Sequence, residues 1–283
     1  MAHRPGLCFA LRRPICYGAG MSLFALTPDL QLKYRDDGPR DAPALVLAHG
    51  LGMDMRVWDA VLPLLPDGQR VIRYDARGHG GSDAPAPPYK MGTLVRDSEA
   101  LLDHLNVRDC VFLGLAMGGM VAQGLAVKRM DLVRGLILSN TTAKSGPPGA
   151  WHARAEAVLQ GGMEAVVEPV LGRWFSKGFL ETGAAEPWRE MLLSQPPQGY
   201  AGACAAIAGT DFYTPTSGLR LPTLGLAGAE DRAIPPDLVR ETVGLIPGAQ
   251  FKVLRRAGHL PCVDQPQAFA DAVTGFLREI GHI

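Results

Sequence analysis

The chain has no surplus of charge to offer a partner. Its 28 Lys and Arg are matched by 28 Asp and Glu across 283 residues, so the formal net charge is zero. Nucleic-acid binding needs a basic excess to neutralise phosphates, and docking on an anionic membrane needs a polybasic cluster. The balance speaks against both. Cysteine is sparse: Cys8, Cys16, Cys110, Cys204 and Cys262 make an odd count of 5 with no CxxC pair. That excludes a paired disulfide framework and a zinc ribbon, and fits reduced thiols in a cytoplasmic protein. No apolar run reaches the ~20 residues of a membrane-spanning helix. Arg12-Arg13 is followed by Pro14 and no apolar segment, so it does not read as a twin-arginine signal. Residues 1–20 carry no structural pattern and are expected to form a poorly ordered extension before Met21.

What the chain does have is a core. Hydrophobic residues make up 47% and charged residues 20%, the mix of a globular protein. Two periods alternate along it. Strand-like stretches flank Pro28-Asp29 between Phe24 and Asp36, which reads as a hairpin. The continuous apolar run Ala44–Ala48 reads as a strand buried on both faces, and Cys110–Leu115 as another buried strand, with further strands at Arg70–Tyr74, Val133–Ser139, Thr223–Ala227 and Phe251–Leu254. Helical spacing occupies Val57–Leu65, Leu94–Leu105, Met117–Lys128, Pro236–Leu245 and Gln267–Ile280. The alternation predicts an α/β fold with a mostly parallel sheet of about eight strands. Residues 145–218 break the rhythm with helical patterns alone. They read as a helical cap inserted between two halves of a core, 21–144 and 219–283, over the carboxyl edge of the sheet.

The chemistry gathers where strands end. Gly114-Leu115-Ala116-Met117-Gly118 follows a buried strand and opens a helix, the context of a nucleophile elbow. Such a turn holds its middle residue at positive φ and needs small neighbours because strand and helix approach closely. The middle residue is Ala116, where the motif needs a serine. His49-Gly50-Leu51-Gly52 ends the first buried strand, so the Leu51 and Met117 N–H groups are candidates for an oxyanion hole. Asp231 follows the strand after the insertion and His259 follows the last strand. Acid then histidine, both downstream of the elbow, is the order of a Ser-His-Asp triad on such a sheet, with His259 as base and Asp231 setting its tautomer. The loop Asp75–Ser82 reads as scaffold.

These motifs resemble the α/β-hydrolase superfamily over residues 22–281. Gly118–Ala126, Leu138–Lys144, Trp151 with Arg154, Arg173-Trp174-Phe175 and Tyr200–Ala206 with Asp211 narrow the resemblance to the 3-oxoadipate enol-lactonases. That resemblance implies hydrolysis of a small enol-lactone carrying a carboxylate, through an acyl-enzyme, in the breakdown of aromatic compounds, with no cofactor and no metal. An acidic substrate in an apolar pocket needs a cation. Arg154, Lys144 and Arg173 are the candidates, Arg154 first because a guanidinium can grip a carboxylate with two hydrogen bonds. Trp151 could line the same pocket. Alanine at 116 has no lone pair to attack a carbonyl, and Ser139, Thr141 and Cys262 lie on no elbow. The alternatives are another carboxylesterase, a cofactor-free reaction using only His259 and Asp231, or a protein that binds a ligand without chemistry.

Overall fold

A computed structural model describes residues 21–283. The expected extension at 1–20 lies outside the described residues. Eight strands run β1 Ser22–Thr27, β2 Leu30–Asp37, β3 Ala44–Ala48, β4 Arg70–Tyr74, β5 Cys110–Leu115, β6 Val133–Ser139, β7 Thr223–Gly228 and β8 Gln250–Leu254. Their order in one sheet is β1-β2-β4-β3-β5-β6-β7-β8. β1 pairs with β2 and β2 with β4 antiparallel, and every other neighbouring pair is parallel. The expected α/β sheet is therefore present.

Every residue of β3, β4, β5 and β7 is buried, and β3 and β5 accordingly read as unbroken apolar runs. The edge strands differ. β1 alternates between half-buried and exposed positions, and β8 is largely open on its solvent side. β4 carries two buried arginines. Arg70 grips Asp36 of β2 through two hydrogen bonds of 2.9 Å and also donates to the Arg40 and Leu105 carbonyls, so its charge is paired and its donors are used.

The core helices are α1 Met91–His104 and α2 Met117–Lys128 in the first half. Between β6 and β7 come α3 Pro148–Gly161, α4 Val167–Trp174, α5 Lys177–Glu181, α6 Glu186–Leu193, α7 Pro197–Ala208 and α8 Tyr213–Ser217. The chain ends with α9 Pro236–Gly244, α10 Pro261–Asp264 and α11 Pro266–Glu279. The helix expected at Val57–Leu65 is instead two short 3-10 turns, Met55–Trp58 and Leu62–Leu64. Pro63 is the reason: it has no N–H to donate and its ring clashes with the carbonyl four residues earlier, so a continuous α-helix cannot pass through it.

No strand interrupts residues 140–222. The six α-helices there are fastened to the loop after β4, to α2 and to the segment after β8. Gly199 meets Gly78 so closely that a Cβ on Gly78 would lie 2.5 Å from the Gly199 Cα. Gly80 N donates to Gln195 Oε1 at 2.8 Å, and Thr216 Oγ1 donates to Gln123 Oε1 of α2 at 2.8 Å. Near the last loop, Leu260 N donates to Trp174 O, and Ser176 N to Asp264 Oδ2.

Candidate active site

Strand β5 ends at Leu115 and α2 starts at Met117, leaving Ala116 alone to make the turn. Its φ is 52° and its ψ −113°. A non-glycine residue in that region is strained by about 1–3 kcal/mol and persists only where its surroundings over-determine it. They do so here. Ala116 N donates to Ser139 O at 3.0 Å, and Ala116 O accepts from Thr141 Oγ1 at 2.6 Å and from Gly119 N at 3.0 Å. The helix is pressed against the sheet: a Cβ on Gly118 would stand 2.2 Å from the Ala48 carbonyl oxygen. Glycine is required there by close approach.

His259 lies on the loop after β8, and its Nδ1 is 2.8 Å from Asp231 Oδ2. Both residues are buried. An ionised carboxylate only accepts hydrogen bonds, so Nδ1 carries the proton and Nε2 keeps its lone pair. Asp231 is itself held on all sides. Its Oδ1 accepts from Ala233 N at 2.7 Å and Ile234 N at 2.9 Å, and its Oδ2 also accepts from Asn140 Nδ2 at 2.8 Å. Such pinning restricts the carboxylate's rotation and keeps it as an acceptor.

His49, at the end of β3, accepts from Ala76 N through Nε2 at 2.9 Å, so its Nδ1–H donates to Gly50 O at 2.7 Å. This holds the peptide that presents Leu51 N–H. Among the described residues neither the Leu51 nor the Met117 N–H is engaged by a hydrogen bond. Behind them, His79 is fully buried against His49. Burial, with the neighbouring His49 second, lowers the His79 pKa to about 3. Ser82 Oγ donates to Asp75 O at 2.6 Å and accepts from Lys33 N at 2.8 Å. These contacts fasten the Asp75–Ser82 loop to β2.

Ala116, Met117, Leu51 and His259 open onto one cavity of 290 Å³. The helices between β6 and β7 supply its other wall, including Trp151, Arg154, Arg173, Trp174 and Tyr200. Among the described residues, no Asp or Glu lines the cavity. Arg154 sits 5.1 Å over the Trp151 ring and lines the same wall as Tyr200. Among the described residues, neither Arg154 nor Arg173 has a carboxylate within ion-pair distance. Two positive charges thus face a mostly apolar chamber without a protein counter-ion, an arrangement suited to an anion.

Lys144, the third cation expected at the site, lies apart from the two arginines. Its ammonium pairs with Asp211 at 2.9 Å on the surface, with both side chains about half exposed, and it does not line the cavity. Ser139 Oγ is committed to Asn140 Oδ1, Thr141 Oγ1 to Ala116 O, and Cys262 is fully buried with its thiol pKa pushed up by desolvation. None of the three lines the cavity.

An alpha/beta hydrolase family model matches residues 45–272. The chain belongs to that family. It is 35% identical over 255 residues to 3-oxoadipate enol-lactonase 2 of Acinetobacter baylyi, covering 88% of this chain and 94% of that protein. Among solved structures, the enol-lactonase from Burkholderia xenovorans LB400 superposes with a TM-score of 0.87 at 34% identity, covering 91% of this chain and 100% of the other. A hydrolase from Pseudomonas aeruginosa PA01 gives 0.88 at 39%, covering 92% and 98%. Within this α/β-hydrolase two side chains at the site escaped the sequence reading. Tyr200 and Asn140 were visible only as parts of family-like segments. Nothing in their local pattern announces that one stands beside Arg154 in the cavity wall and that the other holds Asp231.

Proposed function

We propose that this site is built to hydrolyse small carboxylate-bearing enol-lactones of the 3-oxoadipate type, and that the chain carries it without its nucleophile. With a serine at 116, His259 Nε2 would take the hydroxyl proton as Oγ attacks the lactone carbonyl. The Leu51 and Met117 N–H groups would hold the oxyanion. Ring opening would expel an enolate that takes a proton from His259 and tautomerises to the ketone. Water activated by His259 would then release the acid. Arg154, with Arg173 near it, would receive the substrate carboxylate, and Trp151 would pack on its carbon skeleton. Residues 145–218 would act as the cap over the core, and the setting would be cytoplasmic breakdown of aromatic compounds. As written, with Ala116, the protein would bind its ligand and turn it over at close to the background rate.

The single observation that carries this reading is the shared cavity. The Asp231-buttressed His259, the strained residue 116 and two arginines that lack a carboxylate partner among the described residues all meet there. The test is to compare Ala116→Ser with the parent on an enol-lactone and on a neutral ester. A second reading, a pocket that binds without chemistry, is favoured by Ala116 itself. It takes over if the serine variant gains nothing while calorimetry still shows carboxylate binding.

A further inference from the structure

We infer that Asn140 is a positioning residue for the Asp231–His259 pair; only the kinetic arm of this inference rests on the hydrolytic reading above. Asn140 is the first residue beyond β6, fully buried, with φ at 48°. Asparagine tolerates that region better than most residues, yet it is still uncommon there. The side chain explains the choice. Its Nδ2 donates to Asp231 Oδ2 at 2.8 Å and to the Gly258 carbonyl at 3.3 Å, while its Oδ1 accepts from Ser139 Oγ at 2.9 Å. With two acceptors on the nitrogen side and a hydroxyl on the oxygen side, the amide has one satisfactory orientation.

The oxygen that Asn140 holds is the one that His259 Nδ1 contacts. Two donors therefore converge on Oδ2, while two backbone N–H groups hold Oδ1. The same amide also ties down the residue before His259. One side chain at the end of β6 thus joins the acid after β7 to the loop after β8. A buried turn residue needs none of this directionality. Asn140 does not line the cavity, so its loss should touch the chemical step rather than ligand binding. Deleting the amide leaves Oδ2 with the histidine alone and frees the Gly258 carbonyl. The Nδ1–H form of His259 then loses part of its support, and that form is the one that leaves Nε2 free to act as a base.

The experiment uses the full chain as it exists. Asn140→Gly keeps the backbone conformation, because glycine accepts positive φ, and removes only the amide. Nitrogen and proton NMR of the His259 ring should show its hydrogen-bonded Nδ1 proton moving upfield and exchanging faster, with some Nε2–H form appearing. In the Ala116→Ser background, kcat should fall by about tenfold to a hundredfold, the scale of one charge-assisted hydrogen bond, with KM held within about twofold. Ser139→Ala leaves Asn140 in place but frees its amide, and should move the same resonances in the same direction by less. It carries the test if Asn140→Gly does not fold. His259 resonances unchanged in the folded variants, with only the melting temperature lowered, would overturn the inference and leave Asn140 a residue of the fold alone. If Ala116→Ser is inactive, the hydrolytic reading fails, and the ring resonances still decide this one.

Discussion

Restoring a single oxygen at position 116 is the most demanding test of the site. Ala116→Ser keeps the turn, because every hydrogen bond that holds it comes from the backbone of residue 116 or from Thr141 and Gly119. Ala116 is buried yet opens onto the cavity, so the new hydroxyl has room on that side. The change in stability should stay under about 1.5 kcal/mol, as for other near-isosteric swaps. The change in rate should be far larger. Removing the nucleophile from a serine-triad hydrolase lowers kcat by on the order of a millionfold. At 1.36 kcal/mol per tenfold, that is about 8 kcal/mol of barrier. The assay is hydrolysis of an enol-lactone and of p-nitrophenyl acetate by both forms at equal concentration, with His259→Ala added to the serine variant as a control. The expected pattern is a near-background parent, a gain of several powers of ten in the variant, and loss of that gain in the double variant. Equal rates at the buffer level in all three would show that other parts of the site no longer function. A fast parent would show that the chemistry never needed this oxygen.

Arg154→Ala should weaken binding of a small carboxylate to the parent chain by about tenfold to a hundredfold, the scale of a charge-assisted contact, while leaving a neutral ester's KM in the serine variant unchanged; equal losses on both ligands would point to collapse of the Trp151–Tyr200 wall. Lys144→Ala should leave both ligands unaffected, since its partner is the surface residue Asp211; a rise in KM for the acidic substrate alone would return it to the site. His79→Leu tests the buried imidazole. The folded state holds His79 at a pKa of about 3 against 6.5 unfolded, so the unfolded chain takes up the proton first, and stability falls as pH drops through that window by about 1.4 kcal/mol per pH unit. The variant should show a shallower acid decline in denaturant titrations, and an unchanged slope would refute the assignment. Gly118→Ala should fail to fold or melt far lower, because its Cβ would stand 2.2 Å from the Ala48 carbonyl oxygen; a native melting temperature would contradict that packing.

Strands buried on both faces are the most legible part of this fold, because burial on two sides favours apolar residues at successive positions, and β3 and β5 are unbroken apolar runs. The helical stretch between Ser139 and Thr223 was legible for the complementary reason: the period changes and stays changed. Val57–Leu65 misled because apolar spacing reports which residues face the core, not which hydrogen bonds hold them there. Two 3-10 turns bury Met55, Val57, Trp58 and Leu62 as a helix would. The proline that forbids the helix was present in the sequence and carried the stronger signal. Trp151 and Arg154 lie three residues apart, which places them on one face of α3. No such local rule places Lys144. Its partner Asp211 is 67 residues away, and only the folded chain shows that this lysine is paired while Arg154 and Arg173 have no carboxylate partner among the described residues.

The candidate site divides along the same line. Residues whose demands fall on the backbone leave marks in sequence: glycines where helix and strand collide, and a turn that follows a buried strand. Residues that act on another side chain leave none. Asn140 and Tyr200 look like any polar residues until Asp231 and Arg154 are found beside them. The same division accounts for Ala116. The elbow's shape rests on Gly118 and on hydrogen bonds made by the backbone of residue 116, none of which needs a side-chain oxygen there. The Asp231–His259 pair rests on Asn140, Ala233 and Ile234, again without residue 116. Fold, elbow and acid–base pair are therefore energetically independent of the nucleophile. A chain can lack the side-chain oxygen at this turn and keep every other feature of the site, so Ala116→Ser should change the rate and leave the fold, the turn and the Asp231–His259 contact as they are.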